Sequence, residues 1–142
     1  MMEIIYENSD LSSPPVGRDM GINILMTGGG APGAAGIINC LVQEPSFHVT
    51  VADANPGSVG RWLCKDFVLI PPAKNNDFIK VLLAVCQKKK IQILLPLVTK
   101  ELLPLSESVN EFEKIGCKVI VTRCGEAGIT PIVAMVLLAS IF

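Results

Sequence analysis

Between residues 22 and 122 the chain alternates short apolar runs with segments whose apolar positions recur every three or four residues. The runs are Ile22-Asn23-Ile24-Leu25-Met26, His48-Val49-Thr50-Val51-Ala52, Asp66-Phe67-Val68-Leu69-Ile70, Ile91-Gln92-Ile93-Leu94-Leu95 and Lys118-Val119-Ile120-Val121-Thr122. A strand covered on both faces reads as such a run. They predict five strands, over about residues 23–27, 48–52, 66–70, 91–95 and 118–122. Between the third and fourth, Phe78, Val81, Leu82 and Val85 fall at i, i+3, i+4 and i+7, one face of a helix. That helix is expected over 76–89, with Asn75, Asn76 or Asp77 as its N-cap. Further helices are expected over 33–43, ending before Pro45, and over 103–115, ending at Gly116. Residues 58–63 read as a short helical or irregular piece, with Trp62 and Leu63 packing a loop over the sheet.

Turn chemistry punctuates these elements. Asp53-Ala54-Asn55-Pro56-Gly57 turns the chain after the second strand. Pro71-Pro72 closes the third, because proline cannot donate to a ladder. Strands that alternate with helices form a parallel sheet, because each right-handed crossover lays its helix on a face. The expected fold is therefore α/β: a Rossmann-like doubly wound parallel sheet of about five strands in the order 3-2-1-4-5. A ligand crevice is expected at the carboxyl ends of the first and fourth strands, where the strand order reverses.

The stretch that enters this crevice is Met26-Thr27-Gly28-Gly29-Gly30-Ala31-Pro32-Gly33. Glycine permits a sharp turn and a close backbone approach, and N–H groups at a helix start suit an anion or a carbonyl oxygen. Gly28, Gly30 and Gly33 satisfy the pattern G-x-G-x-x-G, and Asp53 follows Gly33 by twenty residues. This is the spacing of a dinucleotide-binding unit with its ribose-binding acid. Pro32 removes one N–H donor from the loop, which counts against a pyrophosphate cradle. A loop that lines some other ligand site and a tight structural turn both remain open. Asp53 and Asn55, after the second strand, can bond hydroxyl or amine groups of a ligand or can stabilise the turn through Asx-type bonds. Thr99 and Glu101 follow the fourth strand beside the switch point. Glu101 is either a site residue or an exposed acid favoured near a helix start.

Composition narrows the choices. A chain of 142 residues suits one domain and can bury a sizeable core. Half of it is hydrophobic but only 5% is aromatic, a balance suited to a Val/Ile/Leu-rich parallel sheet. A net charge of −1 gives no basic footprint for nucleic acid. Lys88-Lys89-Lys90 reads as a solvated last helical turn that complements the helix dipole. The five cysteines, Cys40, Cys64, Cys86, Cys117 and Cys124, contain no C-x-x-C pair, and reduced thiols in a cytoplasmic setting are expected. With His48 as the only histidine, no zinc-ligand spacing is present.

The two ends differ from the middle. Residues 1–20, with the polar stretch Asn8-Ser9-Asp10-Leu11-Ser12-Ser13-Pro14-Pro15, are expected to be a flexible extension rather than a signal peptide. Residues 125–142 end in the uncharged Gly128–Phe142 segment. It is short for a membrane span and is expected to be a buried apolar helix or a truncated connection. Such a tail would favour association of copies.

Several segments together resemble one family. They are Ile24-Leu25-Met26-Thr27-Gly28-Gly29-Gly30-Ala31-Pro32-Gly33, Val51-Ala52-Asp53-Ala54-Asn55-Pro56, Phe67-Val68-Leu69-Ile70-Pro71-Pro72-Ala73, Ile93-Leu94-Leu95-Pro96-Leu97-Val98-Thr99-Lys100-Glu101-Leu102 and Cys117-Lys118-Val119-Ile120-Val121. In order and spacing these resemble the N-terminal domain that precedes the catalytic module of ATP-grasp enzymes. The look is nearest to the carbamoyl-phosphate synthase large subunit and related carboxylate–amine ligases. The resemblance covers about residues 22–124. It implies a parent enzyme that uses ATP and Mg2+ to activate a small-molecule carboxylate as an acyl phosphate, which an amine or ammonia then attacks. It also implies that this domain supplies one wall of the substrate cleft and that an ATP-grasp module, in cis or in trans, holds nucleotide and metal. No segment corresponds to that module, and the apolar tail departs from the polar connecting helix expected of the family. Catalysis by this chain alone is therefore not expected. The substrate-binding set is expected to be Gly28, Gly29, Gly30, Ala31, Pro32, Gly33, Asp53, Asn55, Thr99 and Glu101. The alternatives are a small NAD- or nucleotide-sugar-binding oxidoreductase domain, or a non-catalytic ligand-binding module. The first of these lacks a Tyr-x-x-x-Lys pair, since Tyr6 is the only tyrosine.

Overall fold

A computed structural model describes residues 21–121. The elements run β1 (Ile22–Thr27), α1 (Ala34–Gln43), β2 (Phe47–Asp53), α2 (Gly60–Leu63), β3 (Phe67–Leu69), α3 (Phe78–Lys88), β4 (Ile93–Pro96), α4 (Thr99–Glu107), α5 (Val109–Lys114) and β5 (Lys118–Val119). All strand pairs are parallel, and the sheet order is β3-β2-β1-β4-β5. This is the expected Rossmann-like architecture.

The apolar runs explain why both faces are covered. Successive side chains along a strand point to opposite faces. Ile24, Met26, Val51, Phe67 and Leu95 therefore enter one layer, with Ala34, Ile37, Ile38 and Leu41 of α1 packed on them. Leu25, Ala52, Val68, Leu94 and Val119 enter the other, under Phe78, Leu82 and Val85 of α3, Leu105 of α4 and Phe112 of α5. Each fully buried Val, Leu, Ile, Phe or Met among them contributes roughly 1.5–3 kcal/mol. Register then sets the site: Thr27 lies beside Ala52 on one side and Pro96 on the other.

Local details depart from the sequence expectation, each with a cause. The helix expected over 103–115 begins earlier, at Thr99, and divides into α4 and α5. Pro104 lies inside α4, where it has no N–H to give and crowds the preceding turn. At Ser108 the chain tightens, its N–H donating to Leu105 O at 3.1 Å, and α5 restarts as Glu111 N–H donates to Ser108 O at 3.0 Å. β4 starts two residues later than expected because Ile91 N–H is used to close α3, bonding Cys86 O at 2.9 Å. Asp77 does not cap α3 with its side chain. Instead Asn75 Oδ1 accepts Asp77 N–H at 2.9 Å, an Asx turn.

The lysine run is not uniformly solvated. Lys89 is half-buried and reaches both oxygens of Asp66, at 2.7 and 2.8 Å, so α3 is tied to the start of β3. Asp66 also accepts the Thr50 hydroxyl at 2.7 Å. Trp62 is 78% exposed and does not pack over the sheet, whereas Leu63 does pack against the α1-side core. Among the described residues no helix is long and apolar enough to cross a membrane. The N-terminal extension, Thr122 at the end of the fifth predicted strand, Cys124 and the apolar tail with its expected self-association lie outside the described residues.

Candidate functional site

The carboxyl ends of β1, β2 and β4 meet at one edge of the sheet, and the glycine loop crosses them. Gly28 takes φ +76°, and a Cβ there would lie 2.7 Å from Val98 Cγ2. Both the turn and the packing therefore call for glycine. Gly29 is bounded by Val51 and by the backbone of Gly60: its N–H donates to Ala52 O at 3.2 Å, and its carbonyl accepts Gly60 N–H at 3.1 Å. A Cβ on Gly60 would lie 2.9 Å from Gly29 Cα. Two glycines, thirty-one residues apart in the chain, thus let α2 lie backbone-to-backbone on the loop.

Asp53, at the end of β2, reaches back to the same loop. Its Oδ2 accepts Gly30 N–H at 2.7 Å, and its Oδ1 accepts Asn55 N–H at 2.8 Å. Asn55 Oδ1 accepts Gly57 N–H at 2.9 Å. The Asx-type bonds weighed for these residues are therefore present, and Asp53 has a further role in fixing the glycine loop. Ala31 N–H donates to Gly28 O at 2.9 Å. The N–H groups of Gly29, Gly30 and Ala31 are thus all engaged within the protein. Pro32 is exposed. Gly33 stands at φ +82° as the N-cap of α1, with open space where a Cβ would be.

Glu101 is the most perturbed group at this edge. It lies in the first turn of α4 and is only 6% exposed. The alternative of an exposed helix-start acid is overturned. The hydroxyl of the fully buried Thr27 donates to Glu101 Oε2. Burial raises the Glu101 carboxyl, the Thr27 bond opposes that rise, and the negative charge of Asp53 adds to it, with a net value of about 7. Glu101 therefore changes protonation near neutrality, a property found more often at functional sites than elsewhere. Thr99 opens α4 and is exposed at the same edge.

Three residues outside the expected set belong to the geometry. Thr27 holds Glu101, and Gly60 admits α2 to the loop. Ser58 is 3% exposed, and its Oγ lies 3.5 Å from the Cβ position of Gly29 with no hydrogen-bond partner. A buried hydroxyl without a partner costs desolvation energy and calls for a bound water or ligand group. Thr27 could have been found as the last strand residue before the glycines. Ser58 has no local signal. Beside it, Arg61 donates to Pro56 O at 3.1 Å and lies 5.7 Å from the centroid of the exposed Trp62 ring. Among the described residues no group of three or more His, Cys, Asp or Glu side chains is placed to hold a metal ion.

Comparison with known proteins adds three findings. Residues 24–120 match the family model described as PylC-like, N-terminal domain. A solved structure, dTDP-glucose 4,6-dehydratase from Bacillus anthracis str. Ames in complex with NAD, is similar with a TM-score of 0.52 at 14% identity, over 85% of this chain and 49% of that one. The chain thus spans about half the length of that protein, and at this identity the likeness shows the fold alone. No curated protein matches the chain.

Proposed function

The chain belongs to the PylC-like N-terminal domain family, the Rossmann-like domain that precedes the catalytic module of ATP-grasp enzymes, and from this premise we propose that it forms the substrate-side wall of an ATP-dependent carboxylate–amine ligase. The overall reaction would transfer the terminal phosphoryl group of ATP to a carboxylate. An amine then attacks the acyl phosphate and phosphate leaves. The proposal assigns ATP and Mg2+ to an ATP-grasp module, in cis or in trans, and gives this chain the task of binding and orienting the small substrate.

One observation carries the substrate side of this reading: the buried Thr27–Glu101 pair, with Asp53 close enough to perturb it, at the switch point of the sheet. The charge of Asp53 acts on Glu101 at the glycine-loop edge, and the loop N–H groups of Gly29, Gly30 and Ala31 are already bonded within the protein. This favours a neutral polar or ammonium group of the substrate at Glu101 and Asp53. Any anionic group would sit farther along, toward Gly33 and the N-terminus of α1, whose dipole suits it. Asn55 and Thr99 are exposed at the rim and complete the proposed contact set.

The test is thermal-shift binding of ATP–Mg2+, NAD and a panel of amino acids and diamines to the full chain, with and without a separately expressed ATP-grasp module. A ligand at about 100 times its Kd stabilises by about 2.7 kcal/mol. Stabilisation by an amine-bearing ligand, with ATP–Mg2+ effective only when the module is added, is the expected result. Saturable stabilisation by NAD alone would overturn the ligase reading.

A further inference from the structure

The opposite edge of the sheet carries a second feature. At the amino ends of β1 and β4, an open cavity of about 620 Å³ is lined by Gly21, Asn23, Gln92, Lys90, Cys86 and Gly116 among others. Cys86 lies in the last turns of α3, and Cys117 directly precedes β5. Their sulfurs stand 4.0 Å apart, joined by an S–H···S contact across 31 residues of chain. Both are buried, at 2% and 1% exposure, in the core layer beneath α3. The other described thiols are placed differently: Cys64 Sγ donates to Val49 O at 3.1 Å, and Cys40 is exposed.

We propose that Cys86 and Cys117 are an oxidation site that closes to a reversible disulfide, tying α3 to β5 when a small peroxide reaches the cavity. The geometry supports closure. A disulfide needs sulfurs about 2.0 Å apart, so rotation of the two thiols toward each other must remove about 2 Å, and no other side chain separates sulfurs already in contact. Access is through the cavity, whose wall includes Cys86 and Gly116, the chain neighbour of Cys117. Gly116 stands at φ +81° with open space around its Cβ position, and Lys90 at φ +52° turns the facing loop.

The contact couples the two thiols, and both the contact and burial push Cys86 up. The thiolate of one sulfur of the pair attacks one oxygen of hydrogen peroxide, the O–O bond breaks, and a sulfenic acid and hydroxide result. The other sulfur then attacks the sulfenic sulfur, the S–O bond breaks, and the S–S bond forms. The proton released by each thiol joins a leaving hydroxide. Two thiols and one peroxide give one disulfide and two waters.

The experiment uses the full chain carrying Cys40→Ser and Cys124→Ser, which removes one exposed thiol and one outside the described fold. The reduced protein is treated with hydrogen peroxide, quenched, and mapped by proteolysis and mass spectrometry without reduction. The expected product is a cross-linked peptide pair joining Cys86 to Cys117, with loss of two hydrogens from the intact mass and full reversal by dithiothreitol. Closing a loop of this length should also raise Tm by roughly 10 °C. Cys117→Ala, which leaves Cys86 without a sulfur partner, should show no such rise. Sulfinic acid at Cys86 or Cys117 without a cross-link, a link from either to Cys64, or both thiols unmodified after prolonged treatment would each overturn the proposal.

Discussion

Replacing Glu101 with Gln should make the protein more stable at alkaline pH and remove most of the pH dependence that this carboxyl imposes. In the folded chain Glu101 titrates at about 7, against an ordinary 4.5. The unfolded chain therefore loses this proton first as pH rises. Between these two values the native state binds more protons than the unfolded one, so stability falls with rising pH. Below about 4.5 both states are protonated and no penalty applies. Above about 7 the full penalty is present. At about 1.4 kcal/mol per pH unit, it amounts to about 3 kcal/mol. Glu101 is 6% exposed and accepts the Thr27 hydroxyl. Its Gln replacement keeps the shape and an oxygen for Thr27 but never ionises. Urea unfolding of the two proteins should be compared at half-unit steps from pH 5 to 8.5. The stability advantage of Glu101→Gln should be small at pH 5 and reach roughly 2–3 kcal/mol by pH 8. A difference that stays flat across this range would refute the assignment of a buried, near-neutral carboxyl, whatever its absolute size.

Other expectations rest on separate contacts. Asp53→Asn removes the charge that helps to raise Glu101, so the Glu101 titration, followed by carboxyl NMR, should move toward its ordinary value. Gly60→Ala would bring a Cβ within 2.7 Å of Val51 Cγ1 and 2.9 Å of Gly29 Cα, and overpacking of this kind should cost about 1–3 kcal/mol in urea unfolding. Gly36→Ala, inside α1 with nothing within 4 Å, should instead stabilise by about 0.5–1 kcal/mol. Lys89→Met should cost about 1–2 kcal/mol, because Asp66 loses its ammonium partner while remaining half-buried; an unchanged urea midpoint would count against a structural role for that pair.

The sheet was legible because its strands are buried on both faces, and burial on both faces writes a continuous apolar run into the chain. Leu25 and Met26 enter opposite layers, yet both had to be apolar, and that alone marks β1. The fold family was legible from the order of such runs together with the glycine loop and Pro96. Legibility failed where tertiary contacts override local preference. Glu101 sits where a helix dipole favours an acid whether exposed or buried, so its protonation behaviour could not be read from its neighbours in sequence. Trp62 has the composition of a packing residue, but α2 is only four residues long and presents it to solvent. Gly60 lies in an otherwise unremarkable stretch, and its purpose emerges only when Gly29 is placed against it.

The glycine loop shows why a motif does not settle a ligand. G-x-G-x-x-G serves a pyrophosphate when its N–H groups are left for the ligand. Here Gly30 N–H is bonded to Asp53 and Gly29 N–H to Ala52, so a pyrophosphate at that point would have to displace a carboxylate while approaching it. An ammonium group meets the opposite situation, because its charge favours the ionised form of Glu101. The two ligand classes therefore differ in a proton count as well as in affinity. Near pH 7 Glu101 is about half protonated, and a cation bound beside it should drive that proton off. Calorimetric titration of an amine-bearing ligand, repeated in buffers of different ionisation enthalpy, should show release of about half a proton at pH 7, rising toward one at pH 6. Glu101→Gln should abolish the release. An anion bound at the same place would raise the carboxyl further, so binding would take up a proton, and uptake in place of release would refute the acidic-pocket reading of this site.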